Sequence, residues 1–351
     1  MMTLRLLSEW DVPTAAVWLL TDIAECKGRA QLFTRQSPQI LKVLLETALI
    51  QSVESSNRIE GVTVEPARLR PLVVGRARPR DRSEEEIQGY RRALDLIHTK
   101  WKQLTITPTS ARQLHRIAMS DVGDAGSWKK TDNEIVELRM NAPPVVRFRP
   151  VSASKTPQAM EELCRAYGAA LDQRQTPPLL AVAALVLDFL CIHPFRDGNG
   201  RVSRLLTLLA LYQQGYDVGR YISTERLIED TRREYYEVLA RSSQGWHEGK
   251  HDCIPWLTYF LTIVRRAYSE LERRAGDVKA PRGAKTQLVE AAIDGFPGEF
   301  RLSDLERQCP GVSRDMIRRV LRDLAKAGRV RCHGRGPGAR WAKRGNTLKK
   351  G

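Results

Sequence analysis

The chain has 351 residues, 42% hydrophobic and 7% aromatic, which is enough for one large globular domain and a small one. No stretch approaches the ~18 uninterrupted apolar residues of a membrane-spanning helix, and the N-terminus reaches charged residues too early for a signal peptide, so we predict a cytoplasmic protein with no membrane partner. The net charge is +16, and residues 276–351 carry 18 Lys and Arg against 8 Asp and Glu, which favours a polyanionic partner for the C-terminal part.

Helical periodicity dominates the first 275 residues. The segment Ser37–Asn57 is one example, since apolar side chains recur along it at 3.6-residue spacing. Further helices are predicted over 83–101, 110–118, 156–172, 178–192, 201–214, 231–241 and 255–274. Residues 127–150 interrupt them, because positions 134–138 alternate with period 2 and Pro143 and Pro144 are unsuited to a central strand. We predict a mostly α-helical domain over residues 1–275 with a β-hairpin at its surface.

The composition changes near residue 276. Residues 276–285 are rich in Gly, Pro, Lys and Arg, as a linker would be. Beyond them we predict helices over 285–294, 303–308 and 313–327, with a turn at Pro310–Gly311, and then two strands over 330–332 and 340–342 around a Gly- and Pro-rich tip. Helix, helix, turn, helix and hairpin is the order of a winged helix-turn-helix. We therefore predict a small winged-helix domain over residues 286–351.

The clearest chemical signal lies between two predicted helices, in the residues H-P-F-R-D-G-N-G-R-V-S-R that run from His193 to Arg204. Pro194 disfavours helical conformation at the residue before it. The glycines at 198 and 200 allow a tight turn whose N–H groups point inward just before the next helix. A turn of this kind at a helix N-terminus binds anions.

The side chains around this turn suit phosphate chemistry. Arg201 and Arg204 are three residues apart, so both guanidinium groups lie on one face of the helix, where each can hold phosphate through two hydrogen bonds. Asp197 offers the hard oxygen that Mg²⁺ on a polyphosphate requires. His193 titrates near neutral pH and can accept a proton from a hydroxyl. Any one of these residues alone would be ordinary turn or cap chemistry, but together they predict phosphoryl or nucleotidyl transfer.

The same residues resemble the Fic signature, H-x-F-x-[DE]-G-N-G-R-x-x-R, at every defined position. The resemblance implies a general base, a Mg²⁺ ligand, a group of phosphate contacts and an arginine that orients the γ-phosphate of ATP. These roles fall on His193 as base, on Asp197 as metal ligand, on Gly198, Asn199, Gly200 and Arg201 as phosphate contacts, and on Arg204 as the γ-phosphate contact.

The resemblance also implies the reaction, which is transfer of AMP from ATP to a hydroxyl of a target protein or of the chain itself. The phosphotransferase branch that resembles Doc toxins has lysine where this chain has Gly200, which favours AMP transfer here. Transfer of another nucleotide, such as UMP, is an alternative. The sequence is silent on the target, on whether AMP is also removed, and on whether the chain forms a homodimer.

A second segment resembles the inhibitory signature of the same family, [ST]-x-x-x-E-[GN]. It is S-N-R-I-E-G over residues 56–61, in which Ser56 and Glu60 occupy the defined polar positions, near the end of a helix expected over about 40–61. An ion pair between Glu60 and Arg204 would keep that arginine from the γ-phosphate. The alternative is an ordinary helix end at which Glu60 is solvated and Gly61 adopts the left-handed conformation.

The sequence also offers candidate contacts for the target protein and for the adenine of ATP. The hairpin over 127–150 resembles the Fic flap, which aligns a target segment by strand pairing, with Ile135 and Leu138 as candidate contacts. Packing within the hairpin explains these two residues equally well. Tyr235 and Tyr236 are candidates for stacking on adenine, although core tyrosines on an amphipathic helix are the favoured alternative.

The predicted tail suggests a nucleic-acid partner. A helix that begins at Ser313 would carry basic side chains into a DNA groove while the wing contacts the adjacent backbone. Its candidate DNA contacts are Arg314, Arg318, Arg319 and Arg322. A protein-binding module with solvated arginines is the alternative. A rival function follows, in which the chain is a DNA-binding regulator and its Fic domain senses nucleotide.

Overall fold

In the computed structural model of the chain, the described residues are 2–7, 12–36, 38–120, 123–139, 142–174, 176–276, 284–296, 298–309, 312–334, 336 and 338–343. Helices make up most of them, as the sequence predicted. Within these ranges, no helix combines the length and apolar character needed to cross a membrane.

The large body, up to residue 276, is built almost entirely from helices. They are α1 (Thr3–Leu6), α2 (Thr14–Gln36), α3 (Pro38–Ile59), α4 (Pro66–Val73), α5 (Arg82–Lys100), α6 (Pro108–Ala118), α7 (Thr156–Asp172), α8 (Pro178–Ile192), α9 (Asn199–Gln213), α10 (Thr224–Asp230), α11 (Arg232–Ser243) and α12 (Ile254–Gly276). Those that the sequence predicted differ from these bounds by no more than two residues at either end. The sequence analysis did not predict α1, α2, α4 or α10.

Helix α8 lies at the centre of this body. Nearly every side chain along it is buried, as expected of a helix that is apolar on all sides. It packs against α1, α7, α9 and α12. The following helix, α9, is also buried along most of its length. The motif between His193 and Arg204 therefore joins two core helices.

A two-stranded hairpin projects from the helices. Strands β1 (Ile135–Arg139) and β2 (Ala142–Phe148) pair antiparallel, with Val136 opposite Val146 and an irregular register on both sides of that pair. This hairpin forms a sheet of its own among the described strands, so its outer edges carry no further strand. The side chains of Val136, Val145 and Val146 are exposed.

The C-terminal body has its own core. It contains α13 (Ala284–Asp294), β3 (Phe300–Arg301), α14 (Leu302–Gln308), α15 (Arg314–Lys326), β4 (Val330–His333) and β5 (Arg340–Lys343), with the strands in the order β3-β5-β4. Apolar side chains from all three helices form a cluster separate from that of the large body. The order of elements matches the predicted one, with β3 added, while the winged-helix interpretation stays a prediction.

The two bodies touch along the N-terminal side of α13, which packs on α3, and Leu288 contributes to the large core. The division into domains over residues 1–275 and 286–351 stays a prediction. Most of the predicted linker falls on residues 277–283, and the predicted turn at Pro310–Gly311 also lies outside the described residues.

Candidate active site

The candidate base, His193, occupies the C-terminal end of α8 in the left-handed conformation, with φ 51° and ψ 61°. Its Nδ1 lies 3.2 Å from the carbonyl oxygen of Leu190. Because a carbonyl only accepts, the hydrogen bond requires the proton on Nδ1, which leaves the lone pair on Nε2. Burial lowers the pKa of His193 to about 4, with a smaller contribution from the charge of Lys129. The imidazole is therefore neutral at pH 7, as a general base must be.

Buried side chains hold the loop that follows His193 in place. Phe195 is fully buried and stacks on the ring of His115, with centroids 3.8 Å apart and planes at 4°. The side chain of Asn199 accepts from the N–H of Phe195 at 2.9 Å and donates to its carbonyl at 2.8 Å. Gly198 has φ +76°, and a Cβ there would lie 2.9 Å from Sδ of Met119. The glycine and the asparagine thus fix the shape of the turn.

This arrangement refines the expected role of Asn199. Its side chain is buried and both of its polar ends bond Phe195, so it supports the loop rather than reaching toward a phosphate. Helix α9 begins at Asn199, two residues earlier than predicted, which places Gly200 in its first turn. The N–H groups of a first helical turn have no partners within the helix and favour an anion.

His115 was not predicted as a site residue, although it braces the motif. Its Nδ1 accepts the N–H of Gly126 at 2.8 Å, so the proton lies on Nε2, which is 3.0 Å from the carbonyl oxygen of Asp197. Burial lowers its pKa to about 4. A single histidine on an amphipathic helix gives no sequence signal for such a role.

Arg201 is almost fully buried and paired with a residue that the sequence analysis missed. Its Nη1 lies 2.5 Å from Oε2 of Glu86, and its Nη2 lies 3.7 Å from Oδ2 of Asp197. Among the described residues, Nε of Arg201 has no hydrogen-bond partner. Glu86 also receives a hydrogen bond from Arg82, at 3.0 Å. The guanidinium is therefore anchored at one nitrogen and still offers a donor.

Arg204 lies against the end of α3, as the inhibitory signature implies. Its Nε donates to Oγ of Ser56 at 2.8 Å, and its Nη2 donates to the Ser56 carbonyl at 2.9 Å and to Oε1 of Glu60 at 2.8 Å. Its Nη1 is buried without a partner in the described part of the chain. A Cβ on Gly200 would lie 2.2 Å from Oε1 of Glu60 and 3.2 Å from Nη1 of Arg204. The turn, the arginine and the glutamate thus meet at one point.

The residues fit a magnesium ion carried by a polyphosphate. The carboxylate of Asp197 is 63% exposed, and one of its oxygens accepts the Gly198 N–H at 2.6 Å. No group of three or more potential metal ligands occurs in the described ranges, so a resident ion held by protein alone is not supported. Mg²⁺ commonly takes one or two carboxylates and completes its shell with phosphates and water. Two unpartnered guanidinium nitrogens beside the turn suit the phosphates.

The structure separates the candidate adenine residues. Tyr235 is buried against Trp256 and Tyr259, with ring centroids 5.9 and 6.0 Å away, as the core alternative requires. Tyr236 is partly buried, and its hydroxyl lies 3.5 Å from the Ile59 carbonyl at the end of α3. Of the two tyrosines, Tyr236 therefore stays the candidate for contact with a nucleotide, while Tyr235 lies in the aromatic core.

The flap residues also differ from one another. Ile135 is partly buried on β1, and Leu138 lies on the same strand with its side chain outside what the structure describes. The valines at 136, 145 and 146 were not named as contacts, yet they present the exposed apolar surface of the hairpin. Alternation alone could not show which side chains of the hairpin are exposed.

The candidate DNA contacts all lie on α15. Arg314 pairs with Glu306 at 3.1 Å, Arg318 lies 3.8 Å from Asp315, and Nη2 of Arg319 is 2.7 Å from Sδ of Met316. A groove of about 690 Å³ separates α15 from the β4–β5 hairpin. It is lined by Leu302, Arg314, Asp315, Arg318, Leu321, Arg322, Gly336, Ala339 and Trp341.

Comparisons with known proteins agree with the motif. The model of the Fic/DOC family matches residues 105–211. A protein adenylyltransferase Fic from Nematostella vectensis is 25% identical over 238 residues, which are 64% of this chain and 49% of that protein, so the chain spans about half the length of this relative. A Fido domain-containing protein from Dictyostelium discoideum is 33% identical over 124 residues, which cover 33% of this chain and 82% of that protein.

The fold has a close counterpart among solved structures. The crystal structure of a Fic family protein from Desulfovibrio desulfuricans G20 matches with a TM-score of 0.62 and 21% identity. The match covers 96% of this chain and 98% of the other, so the likeness in fold extends over both bodies.

Proposed function

This chain belongs to the Fic/DOC family, and we propose that it is an autoinhibited protein adenylyltransferase, which moves AMP from ATP to a Ser, Thr or Tyr hydroxyl of a target protein. The observation that carries the proposal is the state of His193, whose Nδ1 bonds Leu190 and whose Nε2 keeps its lone pair, beside the first turn of α9. A base next to an anion site is the minimum that nucleotidyl transfer requires.

In the proposed reaction, Nε2 of His193 takes the proton of the target hydroxyl as its oxygen attacks the α-phosphorus of ATP. A bond forms between that oxygen and phosphorus, the bond to the β-phosphate oxygen breaks, and diphosphate leaves. The N–H groups of the first turn of α9 and the guanidinium groups of Arg201 and Arg204 stabilise charge on the phosphates. Mg²⁺, held through Asp197, would neutralise part of that charge.

Autoinhibition follows from the contacts of Arg204. While Glu60 and Ser56 occupy its Nη2 and Nε, the arginine has a single nitrogen left, and the planar fork that would bind the γ-phosphate is not available. Without that contact the triphosphate lacks the anchor that turns its α-phosphate toward His193. We therefore propose that the unmodified chain transfers AMP slowly.

The flap is the proposed binding surface for the target. Its free strand edges can pair with an extended segment, and the exposed valines at 136, 145 and 146 can contact alternate side chains of that segment. These valines supplement Ile135 and Leu138 as candidate contacts.

DNA is the proposed second partner. The groove between α15 and the β4–β5 hairpin brings Arg314, Arg318 and Arg322 together beside Trp341. This concentration of positive charge favours a polyanionic partner over an uncharged one. The rival function, a DNA-binding regulator whose Fic domain senses nucleotide, rests on the same groove. The adenylyltransferase and the regulator differ in one respect: only the adenylyltransferase uses His193 to form a covalent AMP–protein product.

A labelling experiment tests the proposed function. The full-length Glu60→Gly variant is incubated with Mg²⁺ and ATP labelled at either the α- or the γ-phosphate, with a cell lysate as the source of targets. AMP transfer leaves protein-bound label from the α position only, and His193→Ala abolishes it. Label from the γ position, or label that persists in His193→Ala, contradicts the proposal. Parallel reactions with UTP, GTP and CTP identify the preferred nucleotide.

A further inference from the structure

We propose that Lys129 is a positioning residue. It holds the backbone on both sides of His193 and links the base to the segment that leads into the flap hairpin. The inference rests on the proposed function, because it assigns Lys129 a task only if His193 is the base. Lys129 follows Gly126 by three residues and precedes β1 by six, so it lies where the chain passes from the helical body into the hairpin.

Lys129 contacts the backbone on both sides of His193. Its Nζ lies 3.2 Å from the carbonyl oxygen of Ile192, and its backbone N–H donates to the carbonyl of Pro194 at 2.9 Å. One residue therefore binds the carbonyl groups of the two residues that flank the base. His193 itself adopts a left-handed backbone conformation that non-glycine residues seldom take unless their surroundings hold them there.

A second residue continues this contact along the loop. Asn133 accepts from Nζ of Lys129 at 2.8 Å, and its Nδ2 lies 3.4 Å from the carbonyl oxygen of Phe195. Lys129 and Asn133 thus engage the carbonyls at 192, 194 and 195, and Asn133 is two residues from the first residue of β1. A target segment that pairs with the flap would act on a strand connected to the base by two side chains.

A lysine suits this place for a physical reason. The carbonyl of Ile192 belongs to the last turn of α8, where carbonyls lack partners within the helix and where the helix dipole favours a cation. The side chain is nevertheless only 4% exposed, and burial lowers the pKa of Lys129 to about 8. A buried cation that merely filled space would be unfavourable, whereas here Nζ of Lys129 donates to the Ile192 carbonyl and to the side-chain oxygen of Asn133.

A purely structural cap on α8 is the alternative, and the charge of Lys129 separates the two. Three charged groups act on His193, namely Lys129 before the flap, Glu60 at the end of α3 and Asp197 in the motif loop. Lys129 lowers the pKa of the imidazole, while the two carboxylates raise it. Removing only the charge of Lys129 should therefore raise the pKa of His193 in a variant that melts at the parental temperature, whereas a structural defect that exposes the buried imidazole would raise the pKa and lower the melting temperature together.

The test compares Lys129→Met, Lys129→Gln and the neighbouring Lys130→Met in the full-length Glu60→Gly background. Lys130 is exposed, so its variant removes the same charge one residue away and serves as the matched control. Two quantities are measured, the kcat and KM of AMP transfer and the pKa of His193 from a nuclear magnetic resonance titration of labelled histidines. Thermal melts establish that each variant is folded.

We expect Lys129→Met to lower kcat by about 10- to 100-fold with little change in the KM for ATP, since small displacements of a reacting group have effects of this size. The pKa of His193 should rise in Lys129→Met and Lys129→Gln. Lys129→Gln should lose less kcat, because its amide can still donate to Ile192, and Lys130→Met should match its parent.

A folded Lys129→Met variant with the parental kcat, or a His193 pKa that is unchanged in Lys129→Gln, would overturn the proposal. If Lys129→Met does not fold, the Lys129→Gln titration decides. If the parent itself transfers no AMP, the proposed function fails, while the titration still tests the link between Lys129 and His193.

Discussion

The carboxylate of Glu60 accepts a 2.8 Å hydrogen bond from Arg204, across 144 residues of sequence. Glu60 directly follows the last residue of α3, and Arg204 lies in the second turn of α9, so the pair joins the helix that carries the inhibitory signature to the helix that begins the phosphate site. Arg204 is nearly fully buried, and a buried arginine is stable only with an acceptor. In the proposed reaction, the γ-phosphate of ATP would replace Glu60 as that acceptor.

The first prediction concerns removal of this carboxylate. Glu60→Gly should raise the rate of AMP transfer by about 10- to 100-fold, because a charged hydrogen bond contributes ~1.5–3 kcal/mol that ATP no longer has to displace. Transfer of label from α-labelled ATP measures the change. Glu65→Gly removes an exposed acid five residues along the chain and is the control. Equal rates in wild type and Glu60→Gly would count against autoinhibition by this residue.

The second prediction uses the close approach of Glu60 to Gly200. A methyl group at residue 200 would lie 2.2 Å from Oε1 of Glu60, and the flexible carboxylate would have to move. Gly200→Ala should therefore increase transfer in the wild-type background and fail to increase it in Glu60→Gly. The four proteins form a double-mutant cycle that isolates this contact. If Gly200→Ala has the same effect in both backgrounds, the methyl group acts on the phosphate site and not on Glu60.

Where the candidate residues are consecutive, the structure agrees with the local geometry that their spacing predicts. The spacing of Asp197, Arg201 and Arg204 along one loop and helix is set by local geometry, and the left-handed Gly61 follows from a common way of ending helices. The partners supplied by distant elements were missed, notably Glu86 on α5 and His115 on α6. They contact the motif only because the helices pack together, and no local pattern encodes that packing.

The same distinction explains the tail and the tyrosines. Helices α13 to α15 and the β4–β5 hairpin were predicted because apolar periodicity and Gly- or Pro-rich turns bound them, whereas β3 has two residues and no period to detect. Tyr235 and Tyr236 are adjacent and chemically identical, yet one is buried in an aromatic cluster and the other faces the end of α3. Only the packing of α11 on α12 decides between them.

The third prediction is a loss of stability at mildly acidic pH. Burial lowers the pKa values of His98, His115 and His193 from 6.5 to about 4. Between these pH values the unfolded chain binds protons that the folded chain does not, so the free energy of unfolding falls as pH decreases. The stability that the neutral histidines contribute is fully present above about pH 6.5 and is progressively lost toward pH 4. Each histidine contributes at most ~3 kcal/mol.

Melting temperatures measured from pH 7.5 to pH 4 test this expectation. His98 lies outside the proposed site, with its Nδ1 3.1 Å from the Tyr212 hydroxyl. His98→Gln should therefore flatten the profile without abolishing AMP transfer at neutral pH. A melting temperature that is constant over this range would show that the three imidazoles titrate alike in the folded and unfolded states.

The fourth prediction concerns the groove beside α15. If it binds duplex DNA, the logarithm of the association constant should fall linearly with the logarithm of salt concentration, and Arg318→Ala and Arg322→Ala should each reduce the slope by about one. Arg329→Ala is the matched control, since Arg329 pairs with Glu290 at 3.1 Å and does not line the groove. Fluorescence anisotropy with the full-length chain measures the association constant at each salt concentration and hence the slope. A response independent of salt would favour a protein partner for this domain.

The last prediction concerns Asp188, which interrupts an otherwise apolar helix. Its side chain is fully buried in α8 and accepts four hydrogen bonds, from the N–H and Oγ1 of Thr3 at 2.8 and 2.6 Å, from the N–H of Leu4 at 3.1 Å and from Nε1 of Trp246 at 2.7 Å. The carboxylate thus binds α1 to the helix that ends at His193. Removing it would take this acceptor from the buried N–H groups of Thr3 and Leu4, while Oγ1 of Thr3 also lies 2.8 Å from Nε2 of His251.

Asp188→Ala should lower the free energy of unfolding by about 3 kcal/mol or more, because buried donors that lose a charged acceptor keep their full desolvation penalty. Thr3→Ala should have a smaller effect, about 1 kcal/mol, since the backbone donors of α1 remain bonded to Asp188. Urea denaturation measures both, and Asp172→Ala at the exposed end of α7 is the control. A loss below about 1 kcal/mol in Asp188→Ala would mean that α1 detaches at little cost. In that case Asp188 would not connect the N-terminal helix to the stability of the helix that carries the base.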